Sequence, residues 1–269
     1  MKKQLLCGVI AVSLAAALLT GCKKEDGNDD KKDGKKTFTV GFDAEYPPYG
    51  YMDDNGDYTG FDLELADEVC KLKGWTLKKQ PIIWDNKDNE LNSGSIDCIW
   101  NGFTMNNRES KYTWSDAYVD NSQVIVARKD AGITELTDLA DKTVGVQAAS
   151  AALDVLQDNE GQKKLADTFK TLQEFSDYVT AFVELEAGSV DAIAMDIGVA
   201  QYQVKSRGED KFVILDEHLN AEKYAIGFKK GNTDLCKEVN EALHTLKKNG
   251  TFDKLAEKYE LSDMVCLEE

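Results

Sequence analysis

The stretch Glu90–Ile99 (ELNSGSIDCI) returns 94 residues later as Glu184–Ile193 (ELEAGSVDAI), with six of the ten positions identical. Each copy reads as a helix end, a glycine stop at Gly94 or Gly188, and the start of a buried strand. A chain that builds this unit twice is constrained toward two similar α/β lobes. Shared turn chemistry alone gives the same likeness, and that plainer reading stays open. In matching register the two strands end on different groups. The first delivers Asn101 and Gly102, with Thr104 and Arg108 just beyond, and the second delivers Met195 and Asp196.

Two lobes that face each other would set Arg108 and Asp196 across one cleft. A guanidinium holds a carboxylate through two parallel hydrogen bonds, and a carboxylate holds an ammonium group. An α-amino acid carries both. The plainer reading of Arg108 alone is a surface arginine paired with a neighbouring acid. Asn101-Gly102 favours a turn.

The first lobe reads as strand, helix, strand. Thr37–Asp43 alternates as a strand, and Phe61, Leu65, Val69 and Leu72 recur at helical spacing behind Asp62, a candidate N-cap, with Gly74 as stop. Trp75–Leu77 and Pro81–Trp84 follow as extended chain. That order implies a parallel sheet. Asp43 then falls at a strand's carboxyl end, where open α/β sheets bind ligands. Tyr46 and Trp84 are candidate pocket walls, or ordinary core aromatics.

Tyr118–Lys129 is expected to cross into the second lobe. There Thr143–Gln147 and Thr171–Phe175 read as strands. Ala148–Leu153 opens a small-residue helix whose exposed N–H groups favour an anion, or a helix start simply packed by alanines. Ser176 reads as the cap of the next helix, and Tyr224–Phe228 as the return crossing. Thr233–Asn249 is amphipathic and ends at Gly250, and Phe252–Tyr259 makes a last helix.

A length of 269 residues suits two lobes. A formal charge of −17 argues against nucleic acid. Only two histidines, His218 and His244, are present, with no cysteines at zinc spacing, so no metal and no cofactor is expected. The amino terminus is a basic start, an apolar run Leu5–Leu19 too short for a comfortable span, and Leu19-Thr20-Gly21-Cys22. It resembles a bacterial lipoprotein signal, residues 1–21, with Cys22 taking the lipid. Residues 22–36 then read as a tether without aliphatic or aromatic groups, reaching roughly 20 Å as a coil. Cys70, Cys98, Cys236 and Cys266 remain. Export permits disulfides, sequence does not choose the pairing, and four free thiols are equally allowed; Cys236–Cys266 is the pairing favoured here.

Taken in order, VGFDAEYPPY, YTGFDLELADEV, SGSIDCIWNGFT with Arg108, YTWSDAYVDNSQVIV, KTVGVQAAS, AGSVDAIAMD and NEALHTLKKNGTFDKLAEKY resemble a bacterial family-3 solute-binding protein of a polar amino-acid ABC transporter. The resemblance runs from residue 38 to about 260. It implies an α/β, two-lobed periplasmic-binding-protein fold of type II, with two hinge-crossing strands and a ligand cleft between the lobes. Lobe 1 would comprise 37–120 and 221–269, and lobe 2 residues 121–220. Arg108 would take the ligand carboxylate with Thr104 and a backbone N–H near Ala151. Asp196 would take the ammonium with the Gly102 carbonyl, beside Asn101. Tyr46 and Trp84 would sandwich the side chain, and Asp43 and Gln147 would line its far end.

The expected role is extracytoplasmic capture of a polar, basic or cystine-like L-amino acid for an ABC permease and its ATPase. The protein would be monomeric and held to the outer face of the membrane through Cys22. A lipid-anchored sensor is the alternative. A dehydratase resembling cyclohexadienyl dehydratases needs a general acid or base, and Glu45 is the only spare carboxylate near the cleft. Two departures from the family pattern stand out: Gly102 to Arg108 is one residue short, and Ala148-Ala149 stands where a glycine is usual.

Overall fold

The computed structural model describes residues 34–268. The signal segment 1–21, Cys22 and most of the tether lie outside the described residues. At the tether's end, Lys36 accepts the Thr76 N–H on its carbonyl and sets its ammonium 4.0 Å from the Trp75 ring centre.

The chain runs β1 (Thr37–Phe42), β2 (Glu45–Tyr46), β3 (Gly50–Met52), β4 (Tyr58–Thr59), α1 (Phe61–Lys73), β5 (Thr76–Pro81), α2 (Lys87–Ser93), β6 (Cys98–Ile99) and β7 (Thr113–Trp114). It continues through β8 (Val119–Arg128), β9 (Thr143–Gln147), α3 (Ala151–Gln157), α4 (Lys163–Ala166), β10 (Thr171–Phe175), α5 (Tyr178–Ala187), β11 (Ala192–Asp196) and α6 (Ile197–Arg207). It ends with β12 (Phe212–Ile214), β13 (Asn220–Tyr224), β14 (Gly227–Phe228), α7 (Thr233–Lys248) and α8 (Thr251–Lys258).

Two mixed sheets carry the fold. The first is ordered β5-β1-β6-β14-β7, with β1 parallel to β5 and β6 and the last two strands antiparallel. The second is ordered β10-β9-β11-β8-β12, with β13 also on β8. Here β9 runs parallel to β10 and β11, and β8 runs antiparallel to its neighbours. The long β8 follows β7 of the first sheet, and β13, antiparallel along its first half, precedes β14 of the first sheet, so the chain passes between the sheets at this paired end.

The repeated decapeptide does the same work in both sheets. α2 and α5 each end on a left-handed glycine, Gly94 at φ +82 and Gly188 at φ +79. Ser95 N–H then donates to the Glu90 carbonyl at 3.0 Å, and Ser189 N–H to the Glu184 carbonyl at 2.9 Å. The Asp97 carboxylate accepts the Thr39 N–H at 2.7 Å, and the Asp191 carboxylate accepts the Thr143 N–H at 2.8 Å. Each echoed aspartate thus ties the start of its own strand to the neighbouring parallel strand, β1 or β9.

Several local expectations are corrected. α1 is capped at Gly60, not Asp62; Asp62 sits inside the first turn, fully buried, and accepts the Gly102 N–H at 2.6 Å. α5 is capped by Asp177, whose carboxylate accepts the Thr180 N–H at 2.7 Å, while Ser176 bonds Asp177. The helix after β9 starts at Ala151, with Ser150 as N-cap. Trp84 opens a short 3₁₀ turn rather than extending a strand. Gly250 precedes α8, and Asn249 caps α7. β13 ends at Tyr224 in the second sheet and β14 begins at Gly227 in the first, so the chain returns between them; on β13 Glu222 and Tyr224 share the buried face while Ala221 and Lys223 face out. Cys236 and Cys266 are not joined. All four cysteines are free, the Cys236 thiol donates inward to the Trp114 carbonyl at 3.1 Å, and Cys266 lies beside Tyr118.

Candidate functional site

Tyr46, Trp84, Gly102, Thr104, Arg108, Gln147, Ser150, Ala151 and Asp196 line one small cavity between the two sheets. Its walls come from both sides: β2 and the loops after β5 and β6, and the ends of β9 and β11 with the start of α3. Larger hollows of about 520 and 900 Å³ lie along α7 and between α6 and the β3–β4 hairpin, but only this one gathers a cation and a fully buried carboxylate. Its volume is about 10 Å³, so the walls are in contact range and the sheets must part to admit a ligand. Among the described residues no helix is long and apolar enough to cross a membrane, and no group of three His, Cys, Asp or Glu could hold a metal ion.

The shortened segment still delivers Arg108 to the cavity. Asn107 takes the left-handed conformation at φ +63, and the Arg108 N–H closes a tight turn on the Met105 carbonyl at 3.0 Å. Arg108 is 6% exposed, and its guanidinium lies 5.4 Å from the Phe103 ring centre. Its Nη2 donates to Asp154 of α3 at 2.7 Å, so in this closed arrangement the arginine spans the two sides.

Asp196 ends β11 and leads into α6. Its Oδ1 accepts from Asn121 Nδ2 and Gln123 Nε2, both at 2.7 Å, and from the Tyr224 hydroxyl at 2.6 Å. Burial raises its pKa, while those donors oppose the rise. At the other end Gln147 Nε2 donates to Asp43 Oδ2 at 2.6 Å, linking the two sheets. Burial pushes Asp43 up to about 6, with the charges of Asp177 and Glu45 adding to it.

Of the residues singled out from sequence, Asp43 and Asn101 do not line the cavity. Asp43 sits behind Gln147. Asn101 is buried with neither side-chain polar atom hydrogen-bonded, and its amide packs beside Gly50. Trp84 lines the cavity and also packs edge-on to Phe103 at 5.5 Å.

Residues 38–262 match the model of the bacterial extracellular solute-binding proteins, family 3. The chain belongs to that family. Among its relatives, the L-cystine-binding protein TcyJ of Escherichia coli is 30% identical over 261 residues, 96% of this chain and 95% of the relative. The arginine-binding extracellular protein ArtP of Bacillus subtilis is 32% identical over 262 residues, 96% of this chain and 98% of the relative. A substrate-binding protein of an ABC uptake transporter from Streptococcus pneumoniae, solved with bound histidine, superposes with a TM-score of 0.81 at 33% identity, covering 86% of this chain and 95% of that one.

Ser150, Lys87 and Glu222 of this family 3 chain escaped sequence reasoning. Ser150 lines the cavity and caps α3, accepting the Leu153 N–H at 3.1 Å. Lys87 is buried and reaches from α2 to the Ala149 carbonyl at 3.1 Å; burial and the nearby Arg108 bring it down to about 8. Ala149 holds φ +55, the left-handed region in which a glycine would rest without strain. Glu222, on β13, accepts the Thr104 hydroxyl at 2.7 Å. Only the alternation of Glu222 and Tyr224 hinted at a shared buried face, and a five-residue polar stretch is a weak signal.

Proposed function

We propose that this protein captures a free L-amino acid outside the cytoplasm and hands it to an ABC importer by opening and closing around it. The observation that carries the reading is the placement of Arg108 and Asp196 on one cavity between two sheets, a cation and an anion matching the two charges of an α-amino acid. Arg108 would exchange Asp154 for the ligand carboxylate, aided by Thr104 and the backbone at Ala151. Asp196 would receive the ammonium, with the Gly102 carbonyl and Asn101 nearby. Tyr46 and Trp84 would flank the side chain. The acidic far end, Asp43 behind Gln147 with Glu45 and Asp177 close by, favours a basic or polar side chain, as in the arginine- and cystine-binding relatives. Ligand contacts to both sides at once would supply the free energy of closure. The moving parts are lobe 1 (37–120 and 221–269) and lobe 2 (121–220), acting as a monomer.

A thermal-shift screen of the twenty amino acids with cystine and ornithine tests the reading, because a ligand that binds only the folded state raises Tm. One or a few cationic or polar members are expected to do so. Arg108→Ala is expected to lose at least a hundredfold in affinity by calorimetry with its Tm little changed, since charge-assisted bidentate pairs are among the strongest hydrogen bonds. Unaltered affinity would sink the clamp.

The amino terminus supports export and lipidation at Cys22 after removal of residues 1–21. Cys22→Ser is expected to move the protein from the membrane fraction to the soluble one; retention in the membrane fraction would exclude the anchor.

A further inference from the structure

Behind Asp196 lies a second buried carboxylate with no cation bonded to it. Asn121 Nδ2 donates to Asp196 Oδ1 at 2.7 Å and to Glu222 Oε1 at 2.8 Å. Gln123 Nε2 does the same, at 2.7 and 2.8 Å. Two amide nitrogens therefore tie one oxygen of each acid together, within two hydrogen-bond lengths of each other. Thr104, which lines the cavity, donates its hydroxyl to the same Glu222 oxygen at 2.7 Å. Glu222 is 4% exposed and Asp196 3%.

Tyr224 bonds Asp196 from β13. Tyr46 lies beside Asp196, Tyr49 beside both acids, and Tyr178 of α5 near both. All four phenols are held well above their ordinary range by burial first and by a neighbouring carboxylate second, Asp62 for Tyr49 and Asp196 for the other three, so they stay neutral. Arg108, on the opposite wall, is engaged by Asp154. Two like charges so placed in a poorly solvated site do not both ionise without a counter-charge.

We propose that Glu222 is the second carboxylate of the ammonium subsite, that it shares one proton with Asp196 in the unliganded protein, and that it yields this proton to solvent when the ligand ammonium docks on Asp196. The inference rests on the amino-acid reading given above. In the exchange a ligand whose own charge is unchanged enters, one proton leaves, and the ammonium replaces it as counter-charge of the pair. Glu222 acts through Asp196 and Thr104 and is a positioning residue. Burial, with the Asp196 charge second, pushes Glu222 up to about 7, which places its titration near neutrality. Capture would then weaken as the medium turns acidic.

Calorimetry with L-arginine and L-cystine decides it, run near pH 6 in two buffers of unlike ionisation enthalpy. Neither probe changes charge appreciably between about pH 5 and 7. Wild type is expected to release up to one proton more per ligand than Glu222→Gln, and its affinity to rise several-fold more steeply with pH. Asp43 titrates in the same range, so the difference between the two proteins is the readout, and Asp43→Asn in both backgrounds removes that contribution. Equal proton release overturns the proposal while leaving amino-acid capture intact. Absence of heat with both probes, and of any shift in the amino-acid screen, overturns the capture reading itself. The carboxylate pair is then judged by the unliganded protein alone. There wild-type Tm must fall more than that of Glu222→Gln between about pH 5 and 8, and matching slopes refute the shared proton.

Discussion

At Gly102 the backbone turns with φ +56, and a methyl group there would come within 2.9 Å of Tyr224 Cε2 and 3.0 Å of Tyr46 Cε1. Its N–H is also committed, to Asp62 at 2.6 Å. The position therefore needs glycine twice over, for its conformation and for the room the two rings leave. Left-handed backbone costs a side-chain-bearing residue about 1–2 kcal/mol. Gly102→Ala is expected to lose at least that much stability in denaturant unfolding and to abolish ligand binding, since Tyr46 lines the cavity and Tyr224 bonds Asp196. A variant of wild-type stability and affinity would show that the turn is not held as described. The contacts of this glycine were not legible in the chain. Asn101-Gly102 announced a turn, but the rings that crowd it come from β2 and β13, at sequence distances that no local pattern spans.

Elements were most legible where local chemistry decides them. The echoed decapeptide reads as helix, glycine stop and strand because each step is made by neighbouring residues, and the structure places it so in both sheets. The strands it opens are another matter. β6 is only two residues long, and β13 is mostly polar, because their partners rather than their own residues define them. The caps at Gly60 and Asp177 were missed by one or two residues for a similar reason: Asp62 and Ser176 are good capping types, and which of two adjacent candidates serves depends on where the helix is docked. The Cys236–Cys266 pairing failed because the directions of the side chains are not in the sequence. The echo itself carries a test. Asp97 and Asp191 each accept one backbone N–H at 2.7–2.8 Å, with the same partner position in each sheet. Asp97→Ala and Asp191→Ala are expected to cost similar amounts, about 1–2 kcal/mol each, the usual loss when a charged acceptor abandons a backbone donor. Urea unfolding of both variants measures this, and a cost confined to one of them would mean that the likeness is of sequence only.

For the molecule as a whole, the balance of buried acids sets the response to pH. Asp43 is pushed to about 6, and Asp62 and Glu222 to about 7, in each case chiefly by burial. Their ordinary values are 3.8, 3.8 and 4.5, so between those and the folded values the folded chain holds protons that the unfolded chain has released. Stability from these groups is fully present below about pH 4 and is lost as pH rises through 6 to 7. Asp116, Asp53, Asp138 and Glu64 work the other way. Their partners hold them below the usual carboxylate range, so their contribution is lost at still lower pH. A formal charge of −17 adds self-repulsion as further acids ionise. Unliganded Tm is therefore expected to be highest near pH 5 and to fall toward pH 8, by an amount on the order of a few kcal/mol of stability. A bound ligand with a cationic head supplies the counter-charge that the ionised acids lack, so the liganded protein should show a shallower fall over the same range. Differential scanning calorimetry from pH 4.5 to 8, with and without the amino acid found in the screen, checks both halves. A Tm that climbs from pH 5 to 7.5 without ligand would mean that the buried acids are ionised throughout. Parallel curves with and without ligand would mean that the cleft's charge is not neutralised by what it binds.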